Sequence, residues 1–270
     1  LVDPKPGRVI CGIDYSSQEF LISALVSGDR KMLEAYKSGD VYLAFGKAVG
    51  AIPKDATKSS HKQLRELFKS TVLGLSYNMG YKALAIKLRR DTGDKTITDA
   101  KALELVNMFF ETYSDFNEWN NANLLNYRAN GHIKLPDGWY MWKDNPNWRS
   151  TNNMPIQGLG SCIMRKAVAL AQDRGIDIIL TLHDALYMEF NYGEWDKIDI
   201  LAQSMREAFC FYFDDKESAN AIRMDASVFG PNCIEGKHIT PGQIKFSTTR
   251  YYVPDKGARE YQYFKQYINR

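Results

Sequence analysis

A short apolar segment that ends in an acidic residue constrains the fold of this chain more than any other feature. The segment from Val9 to Ile13 contains β-branched residues and follows a start rich in proline and glycine, which predicts a buried strand. Asp14 comes directly after it. Serines and then apolar residues at helical spacing follow over 18–26, which predicts a helix. The chain therefore sets one carboxylate at a strand end and a second, Glu19, about one turn into the next helix.

A second acidic residue far along the chain gives Asp14 a possible partner. An isolated Asp at such a place often caps the following helix, because a buried carboxylate otherwise costs stability. Residues 176–182 and 185–190, however, predict a hairpin with Asp184 in its turn, beside the end of the first strand. Two carboxylates from neighbouring strands suit a pair of Mg²⁺ ions and phosphoryl transfer. His183, taken alone, is more typical of a hydrogen-bonded turn residue than of a catalyst.

A basic stripe follows the helical pattern of residues 61–88. Arg65, Lys69, Leu73 and Tyr77 recur every four residues, so they share one slowly winding helix face. Two cations followed by an aromatic ring can hold a polyphosphate at one end and stack a base at the other. The alternative is a solvated basic face with no ligand.

A polar segment over 149–157 leads into a helix that we predict from Gly158 to Asp173. Arg149, Asn153 and Gln157 would line one edge of this entry, and such side chains suit contacts in the grooves of nucleic acid. Aromatic residues also cluster between Trp139 and Trp148. They allow base stacking, but we favour packing under a loop.

The remaining patterns define the other elements. We predict helices over 31–36, 41–49, 98–130 (broken near 114–115), 194–213 and 258–268, and strands around 133–142, 222–229 and 244–253. A loop is expected at 51–60.

Composition narrows the class of protein only coarsely. The 270 residues are 44% hydrophobic and 25% charged, as in ordinary soluble domains, and the net charge of +3 permits a nucleic-acid partner without requiring one. The four cysteines form no C-x-x-C pair, so neither a zinc site nor a disulfide framework is expected. Without a signal peptide or a membrane-spanning segment, no membrane partner is expected. We expect a cytoplasmic location, in the host cell if the chain is viral, for part of a longer protein.

Four motifs in a fixed order carry a resemblance to a known family. They are D-Y-S-S-Q-E at 14–19, R-E-L-F-K-S-T-V-L-G-L-S-Y-N-M-G at 65–80, N-M-P-I-Q-G at 153–158 and L-H-D at 182–184. Together they resemble the polymerase core of A-family DNA polymerases, the bacterial DNA polymerase I type, and most closely the phage branch. The resemblance covers roughly residues 8–232.

The resemblance implies an α+β fold and a domain organisation. The palm, a small antiparallel sheet with helices, would comprise residues 1–30 and 128–232, and helical fingers would comprise 31–127. The thumb and the exonuclease domain would be absent from this chain, and residues 233–270 would be an extension of unknown role. The implied reaction is DNA synthesis from dNTPs on a primer–template, with two Mg²⁺ ions, for which Mn²⁺ can substitute.

The resemblance also implies roles for individual residues. Asp14 and Asp184 would bind the catalytic metals with the carbonyl of Tyr15, and Lys69 would be a candidate proton donor to the leaving pyrophosphate. The nucleotide-binding positions would be Ser17, Glu19, Arg65, Lys69, Leu73 and Tyr77, with Glu19 as the steric gate against a ribose 2′-hydroxyl. The DNA-binding positions would be Arg149, Asn153, Gln157 and His183. Glu189 would be a supporting metal ligand.

This sequence also departs from the family. Leu73 replaces the usual aromatic beside the incoming sugar, Asn78 stands where Gly is common, Tyr42 replaces a phosphate-contacting His, and Ala185 replaces a Glu beside the catalytic Asp. Without a thumb, in the same or a separate upstream polypeptide, we expect weak and salt-dependent primer–template binding.

Three alternatives remain open at this point. A two-metal nuclease would use the same aspartates, but it would not need the basic stripe. A single-subunit RNA polymerase shares the palm, but Glu19 should block ribonucleotides. The last alternative is a catalytically incomplete DNA-binding fragment that needs an upstream thumb-bearing polypeptide.

Overall fold

The structure, a computed structural model, describes residues 4–5, 7–142, 148–229 and 244–247. The chain divides into two compact units. We call Leu1–Gln18 with Gly160–Arg270 the sheet unit, and Glu19–Leu159 the helical unit.

The described helices and strands follow one another in this order: β1 (Arg8–Tyr15), α1 (Gln18–Ser27), α2 (Arg30–Lys37), α3 (Val41–Ala48), α4 (Lys62–Ser76), α5 (Tyr81–Thr92), α6 (Asp99–Thr112), α7 (Ser114–Asn130), β2 (His132–Lys134), β3 (Tyr140–Trp142), α8 (Trp148–Asp173), β4 (Ile178–Leu182), β5 (Ala185–Asn191), α9 (Asp196–Phe211), α10 (Lys216–Ala219), β6 (Met224–Phe229) and β7 (Ile244–Ser247).

The sheet unit is built on a five-stranded sheet in the order β4-β5-β1-β6-β7, in which all described neighbours are antiparallel. β1 lies at its centre, and its residues from Val9 to Ile13 are buried, as expected for a short run rich in apolar residues. Helix α9 contacts the end of β1, because the Tyr15 hydroxyl donates to the Met205 carbonyl at 2.5 Å and its ring lies 5.9 Å from that of Phe209. This central strand therefore has a fixed end, and that end carries Asp14.

The helical unit has an aromatic core. Phe45 packs edge-on against Phe68 and Phe109 at centroid distances of 5.6 and 5.5 Å, and all three side chains are buried. Asp29 is also buried, and its carboxylate caps two helices at once. It accepts from the Met32 N–H at the start of α2 (2.9 Å) and from the Phe116 N–H in the first turn of α7 (3.2 Å).

Helix α8 begins ten residues earlier than we predicted. The expected start at Gly158 is wrong, because the helix runs from Trp148 through Pro155. Proline cannot donate to the carbonyl four residues before it, which here belongs to Thr151. That carbonyl instead accepts a hydrogen bond of 2.9 Å from the Asn123 side chain in α7. A tertiary contact, which the local sequence pattern does not predict, thus stabilises the early turns of the helix.

The continuous helix expected over 61–88 is also wrong, since the chain breaks between α4 and α5. Asn78 adopts a left-handed conformation with φ of 54°, and its N–H donates to the Leu75 carbonyl at 2.9 Å. Asn tolerates this conformation better than most residues, so it can end a helix as Gly does. The break leaves Tyr77 at the end of α4.

Most other expectations are confirmed. The first strand and helix, the 178–191 hairpin, the break between α6 and α7 and the β2–β3 hairpin all occur as predicted, and the α+β class holds. Of the strand predicted at 244–253, only 244–247 is described. The helix at 258–268 and nearly all of the extension at 233–270 lie outside the described residues. None of the described helices is both long and apolar enough to cross a membrane.

Candidate active site

The two predicted metal-binding aspartates lie at the ends of neighbouring strands in the sheet unit. Asp14 pairs in register with Ala185 across β1 and β5, and the Tyr15 N–H donates to the Asp184 carbonyl at 3.2 Å. Asp14 is exposed at the end of an otherwise buried run, and Asp184 is half-buried. The hairpin therefore brings two acidic residues that are 170 residues apart in the chain to neighbouring positions at the ends of paired strands.

Both carboxylates adjoin backbone in an unusual conformation. Among the described residues, the non-glycine residues with positive φ are Ser17 (52°), Asn78 (54°) and His183 (53°). Two of the three were predicted from the sequence to be site residues, and all three fall within the four motifs. Such conformations are uncommon outside glycine and concentrate at functional sites.

The environment of Asp184 favours a cation beside it. Burial raises the pKa of its carboxyl above the ordinary value, while a backbone hydrogen bond and the charge of His183 act in the opposite direction. A half-buried carboxylate gains from a neighbouring positive charge, which offsets its loss of solvation.

Asp225, which the sequence analysis missed, lies on the other side of Asp14. The register of β1 and β6 places Asp225 opposite Asp14, and the Ser16 hydroxyl donates to Asp225 Oδ2 at 2.8 Å. The signal in the sequence was an acidic residue within a mainly apolar strand. Its partner strand could not be identified from local pattern.

The donor set suits a hard divalent cation. Magnesium binds oxygen ligands, keeps several waters and commonly uses one or two carboxylates together with substrate phosphates. Asp14 and Asp184 carry such oxygens and lie at the ends of paired strands. Within the part of the chain that the structure describes, no cluster of three or more Asp, Glu, His or Cys forms a complete metal cage, so phosphate oxygens and water would have to supply the other ligands.

Glu189 does not join this pair. It lies opposite Ile10, four residues along β5 from Ala185, which corresponds to about 13 Å of strand. Its carboxylate instead forms an ion pair of 3.2 Å with Arg8 Nε. The expectation that Glu189 is a supporting metal ligand is therefore wrong.

In the helical unit, Arg65 is held by three neighbours. Its Nε contacts Asp40 Oδ2 at 2.5 Å, its Nη1 contacts Glu66 at 3.0 Å, and its Cζ lies 5.2 Å from the centre of the Tyr42 ring. Burial alone would lower the pKa of Arg65, but the hydrogen bonds and charges of Asp40 and Glu66 raise it. The guanidinium is thus fixed and permanently charged.

The rest of the basic stripe faces outward. The Lys69 side chain is 44% exposed, with Nζ 3.9 Å from Glu66 Oε2, and Leu73 and Tyr77 are 38% and 39% exposed. The four positions form one helix face that begins with two cations and ends with an aromatic ring, and it is exposed from Lys69 onwards, whereas the Arg65 side chain is only 13% exposed. Its chemistry matches a phosphate at one end and a base at the other.

Of the three polar residues predicted at the entry of α8, Asn153 contacts the break between α4 and α5, and Arg149 lies near it. Asn153 Nδ2 donates to the Tyr77 carbonyl at 3.1 Å, and its Oδ1 accepts from Asn78 Nδ2 at 3.2 Å. A Cβ placed on Gly80 would lie 3.9 Å from Arg149 Nη2. The face of α8 is therefore linked to the end of α4, where Tyr77 lies.

The third residue, Gln157, contacts the proposed gate. Its Nε2 donates to Glu19 Oε1 at 2.6 Å, which joins α8 to α1 within the helical unit. Glu19 therefore has a defined orientation, because a protein side chain donates a hydrogen bond to its carboxylate.

Comparisons with known proteins agree with the four motifs. The family model for DNA polymerase family A matches residues 1–214. A DNA polymerase of Mycobacterium phage D29 is 27% identical over 208 residues, which are 74% of this chain and 32% of that protein. DNA polymerase I of Aquifex aeolicus is 27% identical over 211 residues, 76% of this chain and 36% of that protein. The chain thus spans about a third of the length of these relatives.

A solved structure supports the fold. The POL domain of Pol1 from M. smegmatis, in complex with DNA primer-template and dNTP, superposes with a TM-score of 0.69. It is 21% identical in sequence, and the match covers 84% of this chain and 40% of that one.

Proposed function

The chain belongs to DNA polymerase family A, and we propose that it catalyses template-directed DNA synthesis. Deoxynucleotides would be added to the 3′-hydroxyl of a primer, and pyrophosphate would be released. The observation that carries the proposal is the adjacency of Asp14 and Asp184 at the ends of β1 and β5.

The sheet unit would supply the metal-binding part of the chemistry. Asp14, Asp184 and the carbonyl of Tyr15 would hold two Mg²⁺ ions. When bound, such ions stabilise the charge on the attacking and leaving oxygens of an in-line phosphoryl transfer. The chain's own contribution is to hold both carboxylates on paired strands, so that their separation is fixed by backbone hydrogen bonds before the substrate arrives.

The helical unit would bind the incoming nucleotide. Arg65 would contact the triphosphate with a guanidinium that Asp40 already orients, and Lys69, one turn later, would contact the leaving phosphates. Because Lys69 is exposed and its only described ionic neighbour lies at 3.9 Å, its ammonium can approach a ligand and donate a proton to the leaving pyrophosphate. Leu73 and Tyr77 would lie beside the sugar and the templating base.

Sugar selection would depend on Glu19. Its side chain would occupy the space that a ribose 2′-hydroxyl needs, and the hydrogen bond from Gln157 supports this role because it limits the rotamers of the carboxylate. Ser17, in its left-handed turn, would lie on the nucleotide side of the same segment. Arg149, Asn153, Gln157 and His183 would contact the primer–template near its terminus.

The domain organisation follows the same proposal. Residues 1–30 and 128–232 would form the palm, and 31–127 the fingers. Primer–template DNA, dNTPs and an upstream thumb-bearing segment, in the same or a separate polypeptide, would be the partners. The second candidate is a DNA-binding fragment that is inactive by itself, and the assay below distinguishes it from the first.

A primer-extension assay tests the proposal. The chain, with and without the polypeptide encoded upstream, is incubated with a 5′-labelled primer, a template, Mg²⁺ and single dNTPs. We expect extension only by the nucleotide complementary to the next template base. Shortening of the primer would indicate a nuclease instead, and equal use of rNTPs would indicate an RNA polymerase. If no extension occurs even with the upstream polypeptide, the proposal is wrong.

A further inference from the structure

The hairpin of β2 and β3 carries exposed aromatic side chains that the proposed reaction does not use. Trp139 and Trp142 are each 66% exposed, and Tyr140 is 45% exposed. We had favoured the packing of these rings under a loop. Their exposure contradicts that interpretation, because soluble proteins seldom leave several large rings together in water without a ligand.

The two sides of this two-stranded ribbon carry different types of side chain. Ile133, which is buried, and Met141, which is half-buried, pair across the strands and point to one side. The opposite side carries the cross-strand pairs His132–Trp142 and Lys134–Tyr140. We call these four residues the ribbon face.

The rings of the ribbon face are already arranged as a stack. Tyr140 and Trp142 lie 6.0 Å apart with an interplanar angle of 24°. His132 lies 4.7 Å from Trp142 and 5.0 Å from Tyr140, and Lys134 Nζ lies 5.7 Å from the Tyr140 ring centre. The face therefore offers near-parallel π surfaces with a cation beside them.

The ribbon is held firmly enough to present this face. Leu135, directly after β2, packs on Gly158 of α8 so closely that a Cβ at Gly158 would lie 2.4 Å from Leu135 Cδ2. The Leu135 N–H also donates to the Trp139 carbonyl at 2.7 Å and closes the turn. A rigid platform loses little conformational entropy when a ligand binds.

We propose that the ribbon face binds the unpaired bases of single-stranded DNA, as the template strand would present them before they are copied. Bases stack on aromatic side chains whatever their sequence, and neighbouring cations attract the phosphates between them. The ribbon face has both, with Lys134 beside the Tyr140 ring. This proposal rests on the proposed function, since that function makes a DNA template the substrate.

Two further observations favour DNA over a protein partner. The apolar side of the ribbon is already covered, so the exposed side has aromatic rings and one lysine but none of the aliphatic residues. Helix α8, which starts six residues after β3, continues the same chemistry within the helical unit, with Arg149 Cζ 5.9 Å from the Trp148 ring. The ribbon face thus leads towards residues that we assign to primer–template contact.

Fluorescence anisotropy of a labelled oligothymidylate tests the proposal on the full chain. The titration contains EDTA and no nucleotide, so it does not depend on catalysis. Trp142→Ala and Tyr140→Ala should each weaken binding by about 5- to 100-fold, the usual loss for one stacked base. The matched control is Phe211→Ala in the sheet unit. Phe211 is also an exposed ring (58%) with a lysine, Lys166, 4.6 Å from its centre, but it lies outside the ribbon face. This control should bind like wild type.

Conservative substitutions separate stacking from general apolar contact. Trp142→Tyr keeps a flat ring and should retain most of the affinity, whereas Trp142→Leu keeps only apolar surface and should bind as weakly as Trp142→Ala. Lys134→Ala should reduce the slope of log K against log salt by about 0.7, the value for one phosphate contact in single-stranded DNA.

Several results would overturn the proposal. These are absence of oligothymidylate binding by the wild-type chain, equal losses in Trp142→Ala and Phe211→Ala, and full binding by Trp142→Leu, which would show that the Trp142 ring does not stack on a base. If the chain does not extend a primer but still binds oligothymidylate through the ribbon face, the proposed function alone is wrong. If the chain extends a primer normally and the ribbon-face variants bind oligothymidylate like wild type, the proposal for the ribbon face alone is wrong.

Discussion

Asp40 and Arg65 are joined by an ion pair of 2.5 Å between Oδ2 and Nε, while the other oxygen of the same carboxylate caps helix α3. Oδ1 accepts from the backbone N–H groups of Tyr42 and Leu43 at 3.2 and 3.1 Å. One side chain therefore ties the start of α3 to a guanidinium on α4. This arrangement orients Arg65 before any ligand binds, at no further cost in side-chain entropy.

The first prediction concerns Asp40→Asn. Asparagine is as good an N-cap as aspartate, so the cap of α3 should be kept and any fall in thermal stability should come from the lost ion pair, which also orients Arg65. We expect the KM for dNTP to rise about tenfold, with a smaller change in kcat, because a hydrogen bond between charged groups contributes about 1.5–3 kcal/mol. Steady-state kinetics and a thermal melt measure both. An unchanged KM would show that the ion pair is only structural.

The second prediction separates the two cations of the stripe. Lys69→Ala should depress kcat strongly and Arg65→Ala should mainly raise the KM for dNTP, each costing about 2–4 kcal/mol of transition-state stabilisation. The control is Lys62→Ala, because Lys62 is an exposed lysine in the first turn of the same helix. Single-nucleotide incorporation provides the rates. If neither change exceeds that of the control, the stripe is a solvated face.

The sheet was predictable because its signals are local. The apolar run of β1, the hairpin of β4 and β5 and the apolar pattern of β6 each show in a few consecutive residues. The start of α8 was not, because the Thr151 carbonyl that Pro155 leaves unpaired accepts from the side chain of Asn123, a residue 28 positions earlier in the chain. The break at Asn78 likewise depends on a backbone conformation that side-chain periodicity does not report.

The site divides in the same way. The neighbouring positions of Asp14 and Asp184 could be predicted because each comes at the end of a predicted strand, and the helical spacing predicted Arg65, Lys69 and Tyr77 on one face. Asp40 and Asp225 were missed because only the folded structure shows what lies beside them. Asp40 is notable for its ion pair with Arg65, and Asp225 for its position opposite Asp14 in the sheet. Glu189 is the opposite case. It is an acidic residue, as a metal ligand should be, but it lies towards the far end of β5 from Asp184 and pairs with Arg8.

The third prediction tests sugar selection. Glu19→Ala should raise the incorporation of ribonucleotides relative to deoxynucleotides, even if total activity falls, because the space beside C2′ would open. Gln157→Ala should shift the same ratio by a smaller factor, since it removes the hydrogen bond of 2.6 Å that orients Glu19. Competition of each rNTP with its dNTP measures the ratio. Unchanged discrimination in Glu19→Ala would assign the gate to another residue.

The fourth prediction concerns stability in acid. A hydrogen bond from Lys87, together with others from Ser70 and Arg90, lowers the pKa of Asp91 to about 2, although partial burial opposes this. A carboxyl with a lowered folded pKa stabilises the protein fully above its unfolded value of 3.8, and this contribution disappears as pH falls from there towards 2.

Urea unfolding of wild type and Asp91→Asn at several pH values measures this contribution. The variant should be less stable by about 1 kcal/mol or less at pH 6, where the carboxylate is fully ionised, and the difference should shrink below pH 4. A difference that stays constant from pH 6 to pH 3 would mean that the Asp91 carboxylate does not stabilise the fold through its charge.

The most direct test of the central claim is a comparison of Asp14→Ala, Asp184→Ala and the double variant in single-nucleotide incorporation, together with the upstream polypeptide if the chain needs it. Each single change should abolish incorporation, the double change should add no further loss, and primer–template affinity should stay within a few-fold of wild type, because phosphate contacts dominate it. Incorporation by either single variant at a rate comparable to wild type would contradict the assignment of the metal-binding pair and, with it, this account of the protein.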